Sequence, residues 1–235
     1  MTEYLIEDTA LIAMADGIRA KTGKTNALSL DDIIAGIDEV YEKGYTNGSA
    51  SLDAFIGDTL TGLIISSTKI AAYSCYGRTQ LRSVYLPNAT QLLASVFANC
   101  TNLINVRIPN LQTLATYCFQ GCSSLPTVTF TNYSVVIPQS CFVNCKALIK
   151  ADLRASSIGA YAFQNCSSLD TLILRAGSRC TLSGVTAFSG TLIASGTGYI
   201  YVLKALLDSY KGATNWSTYA NQFRAIEDYP EITGG

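Results

Sequence analysis

Cysteine and aspartate are the residues of this chain that invite a chemical reading. Eight cysteines fall between positions 75 and 180, and two pairs, Cys118/Cys122 and Cys141/Cys145, have the spacing of half a zinc site. From position 61 to 197 the carboxylates are Asp152 and Asp170 alone, the minimum for a glycosidase-type acid–base pair. Histidine is absent from all 235 residues. That removes the usual general base, the usual zinc ligand and every Ser-His or Cys-His dyad. Whether the remaining groups converge depends on the elements that carry them.

Those elements form a repeat. FANCTNL (97–103), FQGCSSL (119–125), FVNCKAL (142–148) and FQNCSSL (163–169) share one template, preceded by the altered copy CYGRTQL (75–81) and followed by a truncated copy from Phe188. The lead positions 75, 97, 119, 142, 163 and 188 are 21 to 25 residues apart. After each template Leu comes a short alternating run. Val84, Val106, Val128, Ala151 and Leu172 make one inward column, and Leu86, Ile108, Phe130, Leu153 and Leu174 another. Apolar columns two residues apart predict strands with one buried face. The column between them, Tyr85, Arg107, Thr129, Asp152 and Ile173, is expected to point outward. Ile70, Leu92, Leu114, Ile137 and Ile158, five residues before each lead position, mark the returning side. A unit this short cannot bury its apolar face alone, so the units are expected to stack into a solenoid of about six coils with a continuous core and a parallel sheet.

The repeat accounts for the chemistry-bearing residues. Cys100, Cys122, Cys145 and Cys166 occupy one column, and Cys118 and Cys141 take places filled elsewhere by Val96, Ala162 and Ala187. Parallel in-register stacking points their Cβ atoms the same way, which disfavours disulfides. The expectation is reduced, buried, structural thiols and no metal. Asp152 and Asp170 belong to different columns and are not expected to face each other. No catalytic residue and no cofactor are assigned, and the chain is expected not to be an enzyme.

Three segments differ in charge. Residues 1–60 carry a net −7, residues 61–197 a net +7 and residues 198–235 a net −1. Such asymmetry suggests a polyanionic partner or docking of the two charged parts on each other, against the plainer reading of ordinary solvated surface. Nucleic acid is disfavoured, because the sequence pI is about 5.4 and there is no clustered Lys/Arg run. No apolar stretch is long enough for a membrane span, and MTEYLIEDTA does not read as a secretion signal.

The ends read differently from the middle. Leu11, Ala15 and Ile18 form one helical stripe, and Ser29-Leu30-Asp31-Asp32 opens a second helix with Ile33, Ile37 and Val40 inside. Residues 1–47 are therefore an expected helical attachment or oligomerisation segment, 48–197 the repeat domain, and 198–235 a C-terminal cap. The short helices are expected either to self-associate or to fold back on the first coil. In the cap, a strand is followed by a helix around Lys204–Tyr210 and a second helical turn presenting Trp216, Tyr219 and Phe223 on one face.

The template F-x-[NG]-C-x-x-L, followed by an alternating strand and often Pro (Pro87, Pro109), resembles the BspA-like class of leucine-rich repeats over about residues 52–197. Residues 193–229 resemble the end segment such proteins carry in prophages of gut Firmicutes, with Leu203 where that group usually has Pro. IAMADGIRAKTGKTNALSLDDIIAGI (12–37) is similar to a segment found at the start of many phage tail-associated proteins. The resemblance implies a phage or prophage structural protein, located in the virion tail or in the host cytoplasm before assembly. It also implies contacts with other virion proteins through residues 1–47 and, by analogy with fibre proteins, a possible homo-trimer. The expected partner is a host cell-surface polymer or protein. The candidate contacts are the strand residues Tyr85, Asn105, Arg107, Lys150, Asp152 and Arg154, since aromatic and Arg side chains are enriched in binding surfaces. Two other readings stand beside it: a bacterial cell-surface adhesin or protein-interaction scaffold, and a purely architectural tail or capsid component.

Overall fold

The computed structural model describes residues 62–65 and 67–233. The expected N-terminal helices, and with them residues 1–47, lie outside the described residues.

The alternating runs form short parallel strands stacked one repeat apart. Strand β1 (Gly62–Ile64) pairs with β3 (Ser83–Tyr85), which pairs with β5 (Asn105–Arg107), in the register Leu63–Val84–Val106. A second sheet takes up the series with β7 (Thr127–Ile137), β8 (Lys150–Ile158), β9 (Thr171–Leu174), β11 (Tyr199–Val202) and β12 (Phe223–Ala225). Every pair is parallel, because each strand is separated from the next by a full repeat rather than by a tight turn. On the returning side, β2 (Lys69–Ile70), β4 (Gln91–Leu92) and β6 (Thr113–Leu114) form a third, narrow sheet. Strands β7 and β8 run through both sides without a break, and β8 meets β10 (Thr181–Leu182) there.

The expected inward columns are buried, Val106 only partly, and the returning column from Ile70 to Ile158 is buried throughout. At the centre the lead phenylalanines stack: Phe97–Phe119 at 5.5 Å, Phe119–Phe142 at 5.3 Å, Phe142–Phe163 at 5.2 Å and Phe163–Phe188 at 5.7 Å. Parallel strand stacking brings equivalent rings about 5 Å apart, so a single residue type per repeat produces a continuous aromatic spine.

The template also explains its own Asn/Gly position. Gly77, Asn99, Gly121, Asn144, Asn165 and Gly190, two residues after each lead, all have left-handed backbone with φ from 58° to 78°. Gly adopts this conformation without cost, and Asn is the best tolerated of the others. Where Asn precedes Gly by one repeat the pair interlocks. A Cβ at Gly121 would lie 2.5 Å from Asn99 Oδ1, and one at Gly190 would lie 2.9 Å from Asn165 Oδ1.

The C-terminal segment departs from expectation in one detail. The helix forms as a 3₁₀ turn at Lys204–Leu206 and α1 (Leu207–Lys211), and Trp216–Gln222 is a 3₁₀ stretch. Phe223, read as helical, begins strand β12 instead. The correction has a physical basis: Ile200 and Phe223 are register partners, so Phe223 joins the stacked inward column. Trp216 and Tyr219 are buried against Phe188, with ring centroids at 5.9 and 5.6 Å, and cover the end of the spine.

Candidate binding surface

The outer strand face is where the sequence placed its candidate residues, and the structure divides it. Register places Tyr85 beside Arg107, and their side chains meet, the guanidinium 5.2 Å from the ring centroid. Asn105 lies two residues away on the same strand and is also exposed. Thr127 and Thr129 of β7 continue the two outward columns and are exposed. Lys150, the register partner of Thr127, is half-buried, and Arg154 is exposed farther along β8. Tyr85, Asn105 and Arg107 thus form one group, and Lys150 and Arg154 lie on β8, in the neighbouring sheet.

Asp152 does not belong to this surface. The repeat pattern assigns it outward, yet it is 3% exposed, and its register partner Ile173 is fully buried. The chain end closes this part of the face. Ile173, Tyr201, Ile226 and Ile232 form a second apolar cluster, with Leu203 and Tyr229 packed against it. Arg175 Nε donates to Asp152 Oδ1 at 2.7 Å, and Arg175 Nη2 donates to Asp152 Oδ2 at 2.8 Å and to the Ile232 carbonyl at 2.7 Å. Asp152 is therefore a buried anchor for residues 226–233 rather than a ligand contact, because a covered carboxylate needs a charged partner. The signal available in the sequence was Ile173 itself: an isoleucine in an outward column requires a cover.

The cysteine chemistry is equally accounted for. All eight thiols are free and buried. Cys100, Cys122, Cys145 and Cys166 each donate to a backbone carbonyl of the preceding repeat, at 3.0 to 3.1 Å. Cys118 does the same to Leu93 at 3.0 Å. Burial pushes the Cys100, Cys118 and Cys180 thiols up to about 12 and raises Cys122, Cys141 and Cys145 well above the usual range. The thiolate is the nucleophilic form, so burial keeps these groups protonated and unreactive at neutral pH. Among the described residues there is no cluster of three or more metal-ligating side chains, and no helix is long and apolar enough to cross a membrane.

The family model for the BspA type leucine rich repeat region matches six copies over residues 68–194. The chain belongs to this family. The match takes in strands β2 to β10 and the phenylalanine spine. No curated protein matches this BspA-type chain. Among solved structures, it is similar to a leucine-rich repeat protein of T. pallidum, at 21% identity and a TM-score of 0.45, covering 55% of this chain and 71% of that one. It is also similar to a leucine-rich repeat protein from Bacteroides ovatus, at 16% identity and a TM-score of 0.28, covering 74% of this chain and 68% of that one.

Proposed function

We propose that this BspA-type repeat protein is a non-enzymatic display scaffold, carried on a phage or prophage tail, that presents its open strand face to a host-surface polymer or protein. In this reading residues 48–197 wind into a solenoid, residues 198–235 close it, and residues 1–47 attach it to other tail proteins and promote self-association. The observation that carries the binding role is the division of the outer face. Tyr85, Asn105 and Arg107 stand open together, whereas the equivalent positions Asp152 and Ile173 are sealed by the chain end. An aromatic ring and a guanidinium held against each other on a face left exposed among the described residues suit a partner carrying anionic or planar polar groups. The tail role is supported by the resemblance of residues 12–37.

The alternative is a cell-surface adhesin or interaction scaffold, which membership of the BspA-type family favours. Peptide mass spectrometry on gradient-purified particles after prophage induction separates the two. Peptides of this chain co-sedimenting with virions support the tail reading, and their absence from particles overturns it in favour of the scaffold.

A further inference from the structure

A second surface lies on the turn two residues before each lead position. There Tyr73, Ser95, Tyr117, Ser140 and Tyr161 all have left-handed backbone, with φ from 56° to 62°. Successive turns are hydrogen-bonded in register, Tyr73 N–H to the Ala94 carbonyl at 3.0 Å, Ser95 N–H to Thr116 at 3.1 Å and Ser140 N–H to Ala160 at 3.1 Å. The column therefore alternates Tyr, Ser, Tyr, Ser, Tyr. The serines are buried, at 6% and 7%, while the tyrosines are 61%, 36% and 39% exposed. The three rings project two repeats apart, about 9–10 Å given the spacing of stacked strands.

Two properties separate this column from incidental surface. A side chain larger than Asn in left-handed backbone costs roughly 1–2 kcal/mol per residue. Four residues farther along each repeat the same conformation is filled only by Gly or Asn, so the inexpensive choice is available within the same turn and is not used here. The buried serines share the left-handed backbone, so what alternates is the ring itself, and an exposed aromatic held in that conformation in every second repeat points to use rather than to packing. The strip is also free of charge. Residues 72–77, 94–99, 116–121, 139–144 and 160–165 contain no Asp, Glu, Lys or Arg. Its polar groups are neutral, among them Gln139, Gln120 and Tyr76, whose hydroxyl accepts from Asn99 Nδ2 at 3.0 Å.

We propose that Tyr73, Tyr117 and Tyr161 form a binding site for an uncharged β-1,4-linked glycan, with every second sugar ring stacked on a tyrosine. A pyranose presents a flat face of C–H groups that packs on an aromatic ring, while its equatorial hydroxyls meet neutral amides and phenols at the rim. In a β-1,4 chain alternate sugars are flipped, so the same face recurs once per disaccharide. That repeat is commensurate with a two-repeat tyrosine spacing. An acidic polymer finds no cation on this strip. The site lies on a different edge from the strand face of Tyr85 and Arg107 and does not depend on it.

The full chain is titrated calorimetrically with cellohexaose and chitohexaose, with maltohexaose as the α-linked control. The β-linked hexamers are expected to bind, with affinity unchanged by added salt, and maltohexaose is expected not to bind. Each single change Tyr73→Ala, Tyr117→Ala or Tyr161→Ala is expected to weaken binding about fivefold to tenfold, the scale of one aromatic contact. The triple variant is expected to abolish it, while Tyr117→Phe retains it because stacking survives. Circular dichroism checks that the variants fold. Absence of β-glycan binding by the wild-type chain, or binding unaffected in the folded triple variant, overturns the proposal. So does loss of glycan binding in an Arg107→Glu/Lys150→Glu variant, which would place the site on the strand face.

Discussion

Asp152 and Arg175 lie one repeat apart and meet through two parallel hydrogen bonds, Nε to Oδ1 at 2.7 Å and Nη2 to Oδ2 at 2.8 Å. The same guanidinium holds the Ile232 carbonyl at 2.7 Å, so one ion pair ties the chain end across the sheet. Arg175→Ala removes both attachments and leaves a carboxylate whose side chain is only 4% exposed without a partner. The expected loss is about 3–5 kcal/mol, the usual penalty for orphaning a buried charge. Urea denaturation measures it, and hydrogen exchange should show residues 226–233 losing protection before the spine does.

The phenylalanine spine should respond as one body. Phe142 stacks on Phe119 at an interplanar angle of 2° and on Phe163 at 5°. Phe142→Ala opens a cavity between two rings that the flanking strands hold in place. A destabilisation of about 3–5 kcal/mol is expected, with Phe142→Leu costing clearly less. Thermal unfolding of the two variants checks the order.

Backbone chirality gives a sharper test at the template's Asn/Gly position. Asn144 has φ 62°. Both Asn144→Gly and Asn144→Ala lose the exposed bond that Asn144 Oδ1 accepts from Asn165 Nδ2 at 3.0 Å, and Asn144→Ala should cost about 1–2 kcal/mol more than Asn144→Gly. Gly121→Ala should cost more than Asn144→Ala, because its Cβ would also lie 2.5 Å from Asn99 Oδ1. Chemical denaturation midpoints of the three variants rank these costs.

The thiols set an alkaline limit. Cys100, Cys118 and Cys180 are pushed from the ordinary 9.0 up to about 12 by burial. A raised folded-state value means the stabilisation is fully present below pH 9, where both states are protonated. It is lost as pH rises toward about 12, because the unfolded chain ionises first. Stability should therefore fall through that window, and replacing Cys100, Cys118 and Cys180 with alanine should flatten the fall. Iodoacetamide at neutral pH should leave the native chain unmodified and label it once it is unfolded.

The columns were legible in the sequence because each repeat states the same inside–outside pattern, and parallel register carries that pattern from strand to strand. Val84, Val128 and Leu172 are buried as their spacing requires. Asp152 was not legible. Its burial comes from residues 226–233, which share no repeat with it and lie more than seventy positions away. Phe223 failed for a related reason: its spacing from Trp216 and Tyr219 fits a helix, but its register partner Ile200 recruits it to the sheet. The Tyr–Ser alternation escaped because it repeats every second unit, whereas the template is read one unit at a time.

Partner binding by the exposed strand face around Arg107 is tested directly in solution. Purified full-length chain is incubated with host cells across a salt series, alongside a folded Arg107→Glu/Lys150→Glu variant. The wild-type chain should bind with an affinity that falls as salt rises, and the variant should bind at least about tenfold more weakly with a shallower salt dependence. Equal binding by the two proteins, with the same salt dependence, would contradict the account.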